Sequence, residues 1–158
     1  MQKKHLIFLL AAFAAAPVLA KPVVKEAQLL GKWQSADDNG TLRTFTFGSE
    51  QKVSAIVDAN FPSPDDETLV YRVFADGTWT VNGGKIGLNI KTTDVQRQHS
   101  IAKIRTIPWR EVDKEMFAQM RNNIGKSDKL QMQIKKIGDD SLSVRMQGDK
   151  QDMACRKV

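Results

Sequence analysis

The chain reads as an all-β, mainly antiparallel protein with one packed α-helix. Its simplest closure is an up-and-down barrel, and an open β-sandwich with a helix is the alternative. Three observations predict this. Segment after segment alternates apolar and polar residues with a period of two between turn dipeptides. A single segment, beginning at Trp109, spaces its apolar residues for a helix instead. Behind an N-terminal leader there remains about one domain's length of chain.

The strands follow in order. Thr41 to Phe47 places Phe45 and Phe47 on one face, and Lys52 to Val57 alternates Val53, Ala55 and Val57 with their neighbours. Thr68 to Phe74 sets Leu69, Tyr71 and Val73 on one side. Asp76-Gly77 and Gly83-Gly84 are hairpin dipeptides, and Trp79 and Val81 face one way between them. Lys85 to Lys91 turns Ile86, Leu88 and Ile90 inward. Leu130, Met132 and Ile134 form the next apolar face, and Leu142, Val144 and Met146 another after Gly138-Asp139-Asp140. Gly148-Asp149 turns the chain into a last strand from Asp152 to Val158, and His99 to Ile107 reads as a further strand with a mixed face. The helix is marked by Trp109, Val112, Met116, Phe117, Met120 and Ile124, with Pro108 in its first turn. Glu111, Asp113 and Glu115 lie towards its start, which suits the helix dipole. Val23 to Leu30 reads as a short helical turn or a strap across one barrel end.

The first twenty residues read as an address. Lys3 and Lys4 precede an apolar run from Leu6 to Ala16, Pro17 breaks it, and Val18-Leu19-Ala20 offers a cleavage site. The run is too short to span a bilayer, so a signal peptide over 1–20 and a single soluble domain over 21–158 are expected, with a periplasmic or secreted destination and no transmembrane segment. Taking twenty residues from 158 leaves 138, enough to close one core. The leader removes two lysines and no acid, so the formal charge falls from +6 to +4. No dense Lys/Arg run or aromatic stacking platform accompanies that mild excess, so nucleic acid is not an expected partner. Cys155 is the only cysteine. It forms no internal disulfide, and it is either a small side chain in the last strand or an intermolecular partner.

Leu30-Gly31-Lys32-Trp33 opens the first strand with Gly-x-Trp, and Gly77-Thr78-Trp79 begins a second Gly-x-Trp hairpin that runs to Leu88. On these residues the chain resembles the bacterial exported lipocalin-like proteins of the calycin group. The resemblance implies a barrel whose closed end is plugged by the indole of Trp33. A basic residue from a late strand, Arg156 in Cys155-Arg156-Lys157-Val158, would cover that indole by stacking on its face. It further implies a monomeric binding protein that holds a small apolar or amphipathic ligand in the barrel.

The candidate ligand contacts are Phe61, Tyr71, Met132 and Met146. Phe61 lies in the stretch Asp58 to Glu67, which reads as a long loop at the barrel mouth, stiffened by Pro62 and Pro64 and acidic at Asp65-Asp66-Glu67. The other reading is a protein-binding inhibitor or immunity-type module that acts through its loops and the basic strand faces at Lys85, Lys91 and Lys135. Catalytic patterning is absent from the sequence. His99 and Cys155 are the lone histidine and cysteine behind the leader and carry no metal or nucleophile spacing, and no Gly-x-Ser-x-Gly elbow occurs. Asp37-Asp38 and Asp139-Asp140 read as turn residues. No enzyme activity, cofactor or metal is expected.

Overall fold

Alternation with a period of two can be satisfied only by pairing, and in the computed structural model it becomes eight antiparallel strands. They are β1 (Gly31–Ala36), β2 (Leu42–Phe47), β3 (Lys52–Pro62), β4 (Thr68–Asn82), β5 (Lys85–Arg97), β6 (Ser127–Ile137), β7 (Ser141–Met146) and β8 (Met153–Lys157). The structure describes residues 23–62 and 68–158; the expected leader and the acids Asp65-Asp66-Glu67 lie outside the described residues. Each strand pairs with its sequence neighbours, and β1 also pairs with β8, which closes the barrel and sets the open sandwich aside. Among the described residues two α-helices complete the fold, α1 (Glu26–Leu29) and α2 (Ile107–Arg121). Among the described residues, no helix is long and apolar enough to cross a membrane.

Strand lengths differ, and the difference makes the architecture. β3, β4 and β5 run 11, 15 and 13 residues, against 5 or 6 for β1, β2, β7 and β8. Pairing of β5 with β6 stops at Lys91↔Ser127, while β5 continues beside β4 as far as Tyr71↔Arg97. A three-stranded tongue therefore rises beyond the barrel rim. At its root an extra residue, Thr93, bulges β5 between the pairs Ala75↔Thr92 and Phe74↔Asp94, which bends the tongue. The inner face of the tongue carries Leu69 and Tyr71, and α2 lies across that face.

Three expectations need correction. Asp76-Gly77 is not a turn: it lies within continuous β4, and Gly77 is there because the strands come too close for a side chain. A Cβ at Gly77 would collide with the Asn89 carbonyl oxygen and lie 2.8 Å from Ile90 Cα. The stretch Asp58 to Glu67 is not one loop, because β3 continues to Pro62 through the pairs Asp58↔Arg72 and Phe61↔Leu69. The segment His99 to Ile107 is not a strand; it forms a single 3₁₀ turn at Ile101–Lys103 and then enters α2.

The interior divides into two cores. The larger fills the barrel with Trp33, Phe45, Phe47, Trp79, Ile86, Met132 and Val144. At its closed end Trp33 is 0% exposed, and its Nε1 donates to the Leu29 carbonyl at 2.7 Å, which ties α1 across the floor. Trp79 meets Phe47 edge to face at 5.1 Å and donates to the Gly48 carbonyl. The smaller core joins Leu69, Tyr71 and Ile104 to the helix side chains Trp109, Val112, Met116, Phe117 and Met120.

Candidate functional site

Helix α2 is held by a carboxylate. Asp113 lies on the apolar stripe of the helix, four residues after Trp109 and four before Phe117, and is 2% exposed. Its Oδ1 accepts from the Tyr71 hydroxyl at 2.7 Å, His99 Nε2 at 2.9 Å and Arg97 Nε at 3.1 Å, and its Oδ2 accepts from Arg97 Nη2 at 3.1 Å. The strands position all three donors. Tyr71↔Arg97 is a cross-strand pair of β4 and β5, and His99 follows two residues beyond the end of β5. An ionised carboxylate only accepts, so His99 donates to it through Nε2, while Nδ1 faces the Val70 main chain, 2.9 Å from its nitrogen and 3.0 Å from its carbonyl oxygen. Arg97 also stacks over Phe117, 3.7 Å from the ring centroid.

The electrostatics follow from this geometry. Burial alone pushes the Asp113 carboxyl upward, but the hydrogen bonds from Arg97, Tyr71 and His99 and the charge of Arg97 outweigh it and hold the group below the usual carboxylate range. Burial raises the pKa of the Tyr71 hydroxyl well above its ordinary value, and the bond to Asp113 adds to the rise. Both oxygens of Asp113 are engaged and Tyr71 is 0% exposed, so the cluster anchors α2 to the tongue and presents no open position to a ligand. Sequence reasoning missed this cluster. The available signal was an acid at an inward position of an amphipathic helix.

The open end of the barrel has a different character. On six strands the first inward position above the fully buried layer is aliphatic or a methionine: Val57 above Ala55, Val73 above Ala75, Ile90 above Leu88, Leu130 above Met132, Met146 above Val144 and Met153 above Cys155. All six are only partly buried although register points them inward. They form an apolar ring, the bowl, at the barrel mouth, in which Ile90, Leu130, Met146 and Met153 pack against the barrel core. Val57 and Val73 mark its height, with Ala55 and Ala75 of the barrel core on one side and Tyr71 and Leu69 of the helix core on the other.

The rim of the bowl opens at the barrel seam. β1 and β8 pair only at Trp33↔Lys157 and Gln34↔Arg156, and they part above Gln34. A cleft of about 350 Å³ lies between the turns at that end, reaching Met146, Met153 and Arg43 and edged by Asp37, Asp38 and Asp149. Asp37 holds the first of these turns as expected, its carboxylate accepting from the Asn39 and Thr41 amides and from Arg43 Nη2 at 3.1 Å.

The candidate residues from the sequence are therefore divided. Met146 lines the bowl, and Met132, 1% exposed, lies in the packed core beneath it. Tyr71 belongs to the Asp113 cluster, and Phe61 packs edge-on against the Tyr71 ring at 6.0 Å. Trp33 plugs the floor, but the cation over its ring is Lys157 Nζ at 5.2 Å. Lys157 shares the inward parity of Cys155, whereas Arg156 is exposed on the outer face. Cys155 is buried in β8, and burial pushes its thiol pKa up, so it is held as an inert thiol in the core. No group of histidine, cysteine and acidic side chains suited to a metal ion occurs among the described residues. No protein-family model matches the chain, and no curated protein matches it in sequence.

Proposed function

We propose that the protein is an exported, lipocalin-like binding protein whose bowl takes a small amphipathic ligand. The observation that carries this reading is the ring of inward-facing but accessible side chains from Val57 to Met153, between a plugged floor and an anchored helix. Aliphatic and methionine side chains adapt to an apolar body, while Arg43 and the rim aspartates meet the polar end at the seam. The barrel below is filled by Trp33, Phe45, Phe47 and Trp79, so the ligand sits at the mouth and not in a deep central cavity.

The test is to fill the bowl. Val73→Trp should lower affinity for an anilinonaphthalene sulfonate probe at least tenfold, and mass spectrometry of an organic extract of the wild-type protein should find a bound small molecule. Unchanged probe affinity in the variant would refute the site. A second reading, a protein-binding module, draws on Ile56 and Phe74, which oppose each other on the outer face of the tongue in a groove of about 340 Å³ beside Asp94. A clean extract together with a probe-insensitive bowl would favour it.

A further inference from the structure

The barrel strands carry three methionines, Met132 in β6, Met146 in β7 and Met153 in β8, and register brings all three to one place. Met132 and Met146 are directly paired across β6 and β7. Met153 is paired with Val144, two residues before Met146, so it lies diagonally across from Met146. All three have the inward parity of their strands and pack in the same core. Directly opposed side chains have Cβ atoms about 5 Å apart and diagonal ones about 7–8 Å, a span that long, flexible thioether arms close from both sides. Filling space alone would ask of these positions no more than leucine provides. Met146 and Met153 are instead only partly buried, and both line the cleft at the barrel seam. Asp38 and Asp149 border that cleft without a salt-bridge partner among the described residues, because Arg43 pairs with Asp37 and Arg145 with Asp152. Lys150 is exposed in the adjoining turn and does not line the cleft.

We propose that Met132, Met146 and Met153 form a thioether site for a soft monovalent cation of the copper(I) type. The chemistry of the donors selects the ion. A thioether sulfur is uncharged and polarisable, so it favours copper(I), whereas zinc, calcium and magnesium call for imidazole, thiolate or oxygen ligands. No group of histidine, cysteine and acidic side chains suited to those ions occurs among the described residues. The strands fix where each methionine starts, and only its side-chain rotamers must adjust to bring the sulfur to the ion. Asp38 and Asp149 draw a cation into the cleft, and the sulfurs retain it there. Cys155 lies one inward step deeper on β8 and is 4% exposed, so the site does not require its thiol. Met146 and Met153 also belong to the bowl, but the proposal does not depend on an organic ligand being bound there.

The experiment is titration of the purified protein, with isotope-labelled methionine methyl groups, by silver(I) nitrate in chloride-free buffer. Silver(I) has the charge and softness of copper(I) and is stable in air. The methyl resonances of Met132, Met146 and Met153 should shift together and saturate at one ion per chain, while those of Met116 and Met120 on α2 stay in place. Zinc(II) should move none of them. Loss of an outer partner of a metal ligand costs about 10–100-fold in affinity, so Met146→Leu/Met153→Leu, which removes two ligands, should lose about a hundredfold. Its melting temperature without metal should stay near that of the wild type, because leucine and methionine are close in volume. Cys155→Ala should bind silver(I) as the wild type does. Unmoved methyl resonances, equal shifts at Met116 and Met120, or full affinity in the double variant would overturn the proposal. Loss of binding in a folded Cys155→Ala would also overturn it, by assigning the ion to the thiol. The dye titration of Val73→Trp reports on the bowl and the methyl resonances report on the sulfurs, so failure of one reading is distinguishable from failure of the other.

Discussion

Replacing Asp113 by asparagine keeps the side chain's size and removes its charge. Asparagine retains one accepting oxygen, but its amide nitrogen is a donor, and the native partners are Tyr71 O–H, His99 Nε2–H and the Arg97 guanidinium. At least one oxygen's set of donors is orphaned, and Arg97, whose side chain is 23% exposed, loses its counter-ion. Hydrogen bonds to a charged group contribute about 1.5–3 kcal/mol each, and breaking a buried pair from one side costs about 3–5 kcal/mol. These figures describe the same contacts and do not add, so a loss of about 3–4 kcal/mol is expected. It should be local, because α2 and the tongue form a core separate from that of the barrel. Native-state hydrogen exchange reads this directly: amides of α2 should exchange a few hundredfold faster, on the order of what that energy implies, while amides of β1 and β2 keep their protection. Exchange of α2 within about threefold of wild type would refute the anchoring role, and equal loss in the barrel would refute the division into two cores. Acidification of the wild type provides the matching titration. The pKa of Asp113 is depressed in the fold, so its contribution is complete above the unfolded carboxyl value, near 3.9, and is lost only as pH falls through the lower folded value. Tyr71 acts on the alkaline side. Its raised pKa gives a contribution that is complete below about 10 and is lost as pH climbs through the folded value.

Two stability predictions concern the barrel itself. Trp33→Ala should cost about 3–5 kcal/mol in urea unfolding, since a fully buried indole and its bond to the Leu29 carbonyl are both removed; a loss under about 1 kcal/mol would mean that the floor closes without the ring. Gly77→Ala should cost about 1–3 kcal/mol, because the added methyl meets the backbone of Asn89 and Ile90 and no flexible side chain can give way. An unchanged melting temperature for Gly77→Ala would show that β4 and β5 are further apart than described.

The sequence made the strands legible because burial on one face imposes alternation, and it made α2 legible because the same requirement imposes helical spacing. It misread Asp76-Gly77 for a reason that is also physical. Glycine serves turns and close strand contacts alike, and only the path of the neighbouring strand distinguishes them. Extension of β3 through Asp58 to Pro62 was obscured because Asp58 and Asn60 are poor strand formers; Arg72 supplies what propensity lacked, meeting Asp58 Oδ1 at 2.6 Å across the pair. Lys157 displaced Arg156 over Trp33 through register, which flips every side chain with a slip of one residue. The bowl was half visible: Met146 was identified, but its partners Val57 and Val73 are ordinary core residues by composition. What marks them is accessibility, a property of where the two cores stop.

The Asp113 anchor and the bowl are linked by what fixes the helix in place. Apolar contact alone would let α2 slide towards the barrel until Trp109, Val112, Met116, Phe117 and Met120 were covered, since such contact is not directional. All five remain only partly buried. The directional bonds from Tyr71, His99 and Arg97 to Asp113 hold the helix at one position on the tongue, and that position leaves Val57 and Val73 only partly buried. Accessible apolar surface costs stability that a small shift of the helix would recover. A polar anchor that fixes the helix therefore preserves the bowl, and disabling it should release α2 from the tongue, in line with the faster exchange expected of Asp113→Asn.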